Sequence, residues 1–253
     1  MREVLRQLPH ERVIYFGDTA RVPYGPKSPD TVRRYSREIT EYLTSQDVKA
    51  IVVACNTATA HALPLLQRES SLPIIGVVEP GARAAVAATR RHELGVIGTA
   101  GTIGSGAYER AIRALAPHAD IVTRACPLFV PLVEEGWLDT EATRLIAREY
   151  LTPLQAAGID TLVLGCTHYP LLKPLLAEVL GPDVVLIDSA HETAAETARV
   201  LHARGLLADE TVVRESTATT HRFIASDAPD HFLRLGQRFL GSAIERVETL
   251  TLG

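Results

Sequence analysis

LVLGCTHYP, residues 162–170, reads as a short apolar strand that stops at a glycine and runs straight into a cysteine, a threonine and a histidine. An apolar run this short and unbroken fits a strand covered on both faces, as in a parallel sheet flanked by helices. A second stretch, AIVVACNTATA at 50–60, repeats the plan. It too has an apolar strand, a small residue, a cysteine, hydroxyl and amide side chains, and then a helical pattern. Open α/β sheets bind ligands at the carboxyl ends of their strands, where Cys55 and Cys166 both fall. Two equivalent thiols on two similar halves point to a cleft between pseudo-symmetric domains.

Working outward, apolar runs alternate with amphipathic stretches along the chain, the signature of strands and crossover helices. The pattern predicts strands over 12–16, 50–54, 74–78, 94–98, 121–124, 161–164, 184–187 and 222–225. It predicts helices over 29–45, 59–69, 81–90, 104–115, 128–135, 141–157, 171–180, 191–204 and 230–240. The expected fold is therefore α/β, with two doubly wound domains, mainly parallel sheets and the site between them. The first domain is expected to combine residues 1–90 with 188–253, and the second to take 91–187.

The bulk numbers narrow the function classes. In 253 residues, 46% are hydrophobic and 22% charged, an ordinary globular balance. A formal net charge of −4 gives no electrostatic case for nucleic acid. No apolar run approaches the ~20 residues that span a bilayer, and MREVLRQLPHER at 1–12 is charged and helical in pattern, unlike a signal peptide. A cytoplasmic location is expected, where Cys55, Cys126 and Cys166 stay reduced and form no disulfide framework. Lysine occurs only at Lys27, Lys49 and Lys173, which leaves few candidates for a Schiff base.

A thiol is useful near neutral pH because its reference pKa of ~8.5 leaves a small thiolate fraction that a helix N-terminus can enlarge. Cys55 precedes a helix and is followed by Asn56 and Thr57; Cys166 precedes another and has Thr167 and His168 beside it. Unpaired N–H groups at such termini also hold carboxylates. Several readings compete at this point. Two inert core thiols are the plainest. A zinc site is poor, because no C-x₂₋₄-C pair exists. A Cys–His hydrolase or decarboxylase would use one cysteine with His168 as base and leave the other cysteine without a role. A two-base enzyme uses both: racemising an amino acid means taking the α-proton from one face and returning a proton to the other, which two facing acid/base groups do without a cofactor.

The sequence blocks resemble the glutamate racemases. YFGDTARVPYG (15–25), ACNTATA (54–60), GVVEPGA (76–82), GVIGTAGTIGSGAY (95–108), CPLFVPLVEEG (126–136) and LGCTHYPLL (164–172) follow that family's signature order. PYG together with GCTHYP separates it from aspartate racemases. The resemblance implies interconversion of L- and D-glutamate for peptidoglycan precursors, with no cofactor, no metal and a homodimeric assembly. It makes Cys55 and Cys166 the two acid/base thiols. Asn56, Thr57 and Thr167 would grip the α-carboxylate and ammonium, and Pro23, Tyr24 and Gly25 would line the side-chain end. Thr99 and Thr102 would add hydroxyl contacts, His168 would assist Cys166, and Glu134 would tune that side. Cys126 has no part in this picture and is expected to be structural, and His61 to be a surface or packing residue.

One departure stands out. The family opens with a strand ending in Asp-Ser-Gly, whose aspartate lies beside the first cysteine, and the residues from Met1 onward match the helix after it. A start assigned too far downstream, or a first segment missing from the sequence, is the favoured reading because the other blocks are intact. A genuinely shortened chain is expected to leave a gap in the first sheet and to turn over less well through Cys55. An impaired binding or regulatory protein is the corresponding alternative.

Overall fold

The computed structural model describes residues 1–208 and 221–252. Every strand pairing in them is parallel. The strands are β1 (Ile14–Gly17), β2 (Ile51–Val53), β3 (Ile74–Gly76), β4 (Glu93–Gly98), β5 (Asp120–Ala125), β6 (Thr161–Gly165), β7 (Val185–Ile187), β8 (Arg222–Ala225) and β9 (Glu248–Thr249). The helices are α1 (Arg2–Gln7), α2 (Pro29–Ser45), α3 (Asn56–Glu69), α4 (Val78–Ala88), α5 (Ala100–Gly104), α6 (Ala107–Leu115), α7 (Phe129–Glu134), α8 (Glu141–Ala156), α9 (Lys173–Leu180), α10 (Ala190–Ala203) and α11 (Pro229–Leu240).

β4 to β7 form one sheet in the order β5-β4-β6-β7. Alternation along its strands feeds two cores. Leu162, Leu164 and Ile97 join Phe129, Leu151, Leu154 and Tyr169 on one face. Val163, Leu94 and Val96 join Val78, Ala82, Tyr108 and Ile112 on the other. A sheet buried on both faces accepts apolar residues at every position, which is why 161–165 shows no polar alternation. Each fully buried Leu or Ile contributes about 1.5–3 kcal/mol relative to exposure.

The remaining strands make two further sheets, β1-β8-β9 and β2-β3. No ladder joins them among the described residues. All four residues of β1 are half-buried, as are Val52 and Val53 of β2, whereas β3 and β6 are buried throughout. Half-burial marks β1 and β2 as sheet edges. The chain enters the four-stranded sheet after α4 and leaves it after β7.

The predicted elements are all present, with instructive shifts. α3 begins at Asn56 instead of 59 because Cys55 itself is the N-cap, its sulfur accepting the Ala58 N–H. The strand expected over 74–78 stops at Gly76, since α4 starts at Val78. The helix predicted over 104–115 is two: Gly106, at φ +65°, breaks α5 from α6, a left-handed conformation that glycine adopts without strain. The start of 171–180 is a 3₁₀ turn, Tyr169–Leu172, ahead of α9. β9, two residues long, has no periodicity to read.

Candidate active site

Register places the first pair of site residues. β4 and β6 end level, with Gly98 opposite Gly165, so Thr99 and Cys166 leave neighbouring strands side by side. Cys166 is 7% exposed. Its backbone neighbours turn back on it, the N–H groups of His168 and Tyr169 pointing at the sulfur. Tyr169 anchors that turn. Its hydroxyl donates to the Cys126 carbonyl at 2.7 Å, and its ring meets Phe129 edge-on at 5.3 Å. Cys126 is wholly buried in the same core, as expected of a structural thiol.

His168 lies over Cys166. Its Nδ1 is 3.9 Å from the Cys166 sulfur and 3.3 Å from the Thr167 hydroxyl; its Nε2 is 3.1 Å from Oε1 of Glu134, the last residue of α7. A carboxylate only accepts, so Nε2 carries a proton, and in the neutral ring Nδ1 is then the acceptor facing the thiol. The bond to His168 holds the Glu134 carboxyl below its ordinary range, against the opposing effect of burial. Thr167 is exposed, with only its hydroxyl turned toward the histidine.

Cys55 ends the β2 segment of the other half. The Ala58 N–H donates to its sulfur at 3.5 Å, and Tyr24, Val32 and Ala58 pack beside it. Burial pushes both thiols up. For Cys55 the N–H groups of Ala58 and Thr57 and the Thr57 hydroxyl oppose that rise. Cys166 is pushed up to about 12 by burial, opposed by the His168 N–H and reinforced by the charge of Cys55.

Between them stands a ring of three hydroxyls. Thr57 lies 2.8 Å from Thr99 and 3.1 Å from Thr102, and Thr99 lies 3.0 Å from Thr102. Thr99 is also the N-cap of α5, accepting the Thr102 N–H at 3.2 Å. The PYG loop packs directly below. Gly25 accepts the Gly101 N–H at 2.9 Å, and a Cβ on Gly25 would sit 2.8 Å from the Thr99 Cβ. Tyr24 is buried and its hydroxyl donates to Asp18, so it packs the site wall and leaves hydroxyl chemistry to the threonines. Pro23 is exposed at the edge of that loop. His61 is half-buried with Nε2 3.0 Å from the Gly101 carbonyl, tying α3 to α5.

Three features have no counterpart in the sequence reading. Asp18 is 8% exposed, accepts from Arg21 Nε at 2.9 Å and from the Ser226 hydroxyl at 3.1 Å, and so pins the PYG loop to β8. Tyr108 donates its hydroxyl to Asn56 Oδ1 at 2.7 Å, a buried bond between residues on different sheets' helices. α11 reaches across: Phe232 packs on Tyr15 at 5.7 Å, while Arg238 donates to the Glu134 carbonyl at 3.1 Å and Phe239 meets the His168 ring at 6.5 Å. The GDTARVPYG run was a signal for the first. Nothing local announces the other two. A groove of about 680 Å³ lies elsewhere, lined by Leu63, Arg83, Arg110 and Arg204 among others and by neither site cysteine.

Comparisons with known proteins give the family. The family model for Asp/Glu/Hydantoin racemase matches residues 1–197. A glutamate racemase of Geobacter metallireducens is 54% identical over 252 residues, covering 100% of this chain and 92% of the relative. The solved glutamate racemase isoform RacE1 of Bacillus anthracis superposes with a TM-score of 0.90 at 41% identity, over 99% of this chain and 91% of that one. The glutamate racemase of Francisella tularensis, solved in complex with D-glutamate, gives 0.89 at 34% identity, over 99% and 92%. With paired strand-end cysteines, a GCTHYP turn and full-length relatives of this kind, the chain belongs to the Asp/Glu/Hydantoin racemase family, as one of its glutamate racemases.

Proposed function

We propose that the chain interconverts L- and D-glutamate by a two-base mechanism in which Cys55 and Cys166 serve opposite faces of Cα. The observation that carries this reading is the matched placement of the two thiols. Each leaves the carboxyl end of a parallel strand, and each sulfur receives backbone N–H groups from the turn after it. A thiolate on one side removes the α-proton and becomes a thiol. The thiol on the other side delivers its proton to the carbanion and becomes a thiolate. Atoms and charge balance within one turnover, and the roles are exchanged for the return reaction.

Burial leaves both sulfurs as thiols at rest, so one must ionise when substrate arrives. The substrate's ammonium is the natural counter-charge for that thiolate. His168, oriented by Glu134, takes or returns the Cys166 proton through Nδ1. Asn56, Thr57 and Thr167 hold the α-carboxylate and ammonium. Thr99 and Thr102 complete the hydroxyl ring, and the backbone of Pro23, Tyr24 and Gly25 closes the γ-carboxylate end. The weak acidity of the Cα–H is offset by fixed donors around the developing charge in a dry site. The same proposal covers D-glutamate supply for peptidoglycan, a homodimeric assembly, and domain boundaries near residues 90 and 188.

Separate Cys55→Ser and Cys166→Ser variants test the mechanism. With each enantiomer in deuterated solvent, each variant should lose racemisation and retain α-proton exchange, if any, from one enantiomer only. Wild-type racemisation by either variant refutes two-base catalysis. Loss in one variant alone favours a single-cysteine enzyme.

A further inference from the structure

Tyr108 stands between the two halves of the site without being one of the substrate contacts proposed above. It comes from α6 and is 2% exposed, and Asn56, the first residue of α3, is 3% exposed. The phenol donates to Asn56 Oδ1 at 2.7 Å, and on its other side the phenol oxygen and Ser189 both pack against Gly81. Burial pushes the phenol up, so it remains a donor wherever the enzyme works. With Oδ1 engaged by the phenol, the Asn56 amide keeps its Nδ2 hydrogens as donors for another acceptor. A Cβ on Gly165, the residue before Cys166, would meet the Ile97 carbonyl at 2.7 Å and Cε2 of Tyr108 at 3.1 Å, so the ring lies against that glycine. One side chain therefore touches the neighbours of both cysteines, Asn56 next to Cys55 and Gly165 next to Cys166.

We propose that Tyr108 is a positioning residue for racemisation: its hydroxyl fixes the Asn56 amide with both N–H groups free for the substrate's α-carboxylate, and its ring keeps that amide in register with Cys166. This rests on Asn56 gripping the substrate, as proposed above. Without the hydroxyl, the amide is free to turn and present its oxygen to an anion, which repels the substrate instead of binding it. Glycine at 165 is required first by the close approach of the Ile97 carbonyl and then by that of the ring, and not by a left-handed backbone.

The test is a double-mutant cycle with Tyr108→Phe and Asn56→Ala, read as kcat and KM for each glutamate enantiomer. Tyr108→Phe keeps the ring and its packing. It should lower kcat/KM about tenfold or more, with most of the loss in KM. In the Asn56→Ala background the same change should cost less than twofold, because its target is gone. A Tyr108→Phe enzyme within twofold of wild type overturns the proposal, and so does an equal loss in both backgrounds. Should Tyr108→Phe fail to fold, Gly81→Ala crowds the same hydroxyl, its Cβ falling 3.1 Å from the phenol oxygen. Its loss should likewise vanish without Asn56, and persistence refutes the relay. A wild-type chain that does not racemise glutamate would instead refute the proposed function, and this inference with it.

Discussion

Replacing Glu134 by glutamine removes a charge from the site and leaves its shape. Glu134 Oε1 lies 3.1 Å from His168 Nε2, and a glutamine oxygen can accept the same N–H. In the proposed mechanism, what disappears is the carboxylate that stabilises positive charge on the ring while His168 takes the Cys166 proton. A buried charge-assisted hydrogen bond is worth roughly 1.5–3 kcal/mol. The Glu134 side chain is 35% exposed and that of His168 is 23%, so solvent screening brings the figure to about 1–2 kcal/mol. That corresponds to a fall of roughly 5- to 30-fold in rate. The two enantiomers have equal free energy in water, so kcat/KM must fall by the same factor in both directions. The asymmetry appears elsewhere. The primary isotope effect with α-deuterated substrate should rise in the direction in which Cys166 abstracts, and the solvent isotope effect should rise in the other. Steady-state rates from L- and D-glutamate, followed by circular dichroism, measure the first quantity, and deuterated substrates the second. Glu134→Gln at wild-type rate in both directions, with unchanged isotope effects, would remove Glu134 from the mechanism.

Two further outcomes test the scaffold. Asp160 is 1% exposed and accepts from the Thr89 hydroxyl at 2.6 Å and the Arg90 and Arg91 N–H groups at 2.8 and 2.7 Å. Burial opposes its ionisation, yet these donors hold the carboxyl at about 2 instead of 3.8. A folded-state value below the unfolded one stabilises the fold above about pH 4, by about 2 kcal/mol, and that stabilisation is lost as pH falls toward 2. Urea unfolding of wild type and Asp160→Asn should therefore differ by about that amount at pH 7 and converge in acid; a gap independent of pH contradicts the assignment. Gly25→Ala would place a Cβ 2.8 Å from the Thr99 Cβ and push Thr99 out of the hydroxyl ring. Expected are a stability loss of about 1–3 kcal/mol and a rise in KM of about tenfold. A lower melting temperature with unchanged KM would separate the PYG loop from substrate binding.

The strand–cysteine–helix repeat at 50–60 and 161–170 was legible because it is local. A period of unbroken apolar residues reports burial on both faces, and a cysteine before a helical pattern becomes an N-cap or a turn residue whatever surrounds it. Residues 29–45 show the same: Ser28, Pro29 and an amphipathic run define α2 at both ends without help from the rest of the chain. The roles proposed for Glu134, Thr99 and Pro23 come only through resemblance, since nothing in their own neighbourhoods marks them. Thr59 was read as a helix start because a cysteine cap is weaker than a hydroxyl one, and the sulfur's bond to Ala58 lay outside the pattern.

Sequence by itself determined the elements, their parallel class and the position of each thiol at a strand end, because propensity, burial period and capping act within a few residues. Tertiary structure decided which side chains meet. The level ends of β4 and β6 bring Thr99 beside Cys166, and the packing of α6 against the four-stranded sheet carries the Tyr108 hydroxyl to Asn56, 52 residues away. The division of β1–β3, β8 and β9 into two sheets is of the same kind. A strand's pattern says that a face is buried and does not say which neighbour pairs with its edge; backbone hydrogen bonds are chemically alike at every strand, so that choice belongs to the assembled fold.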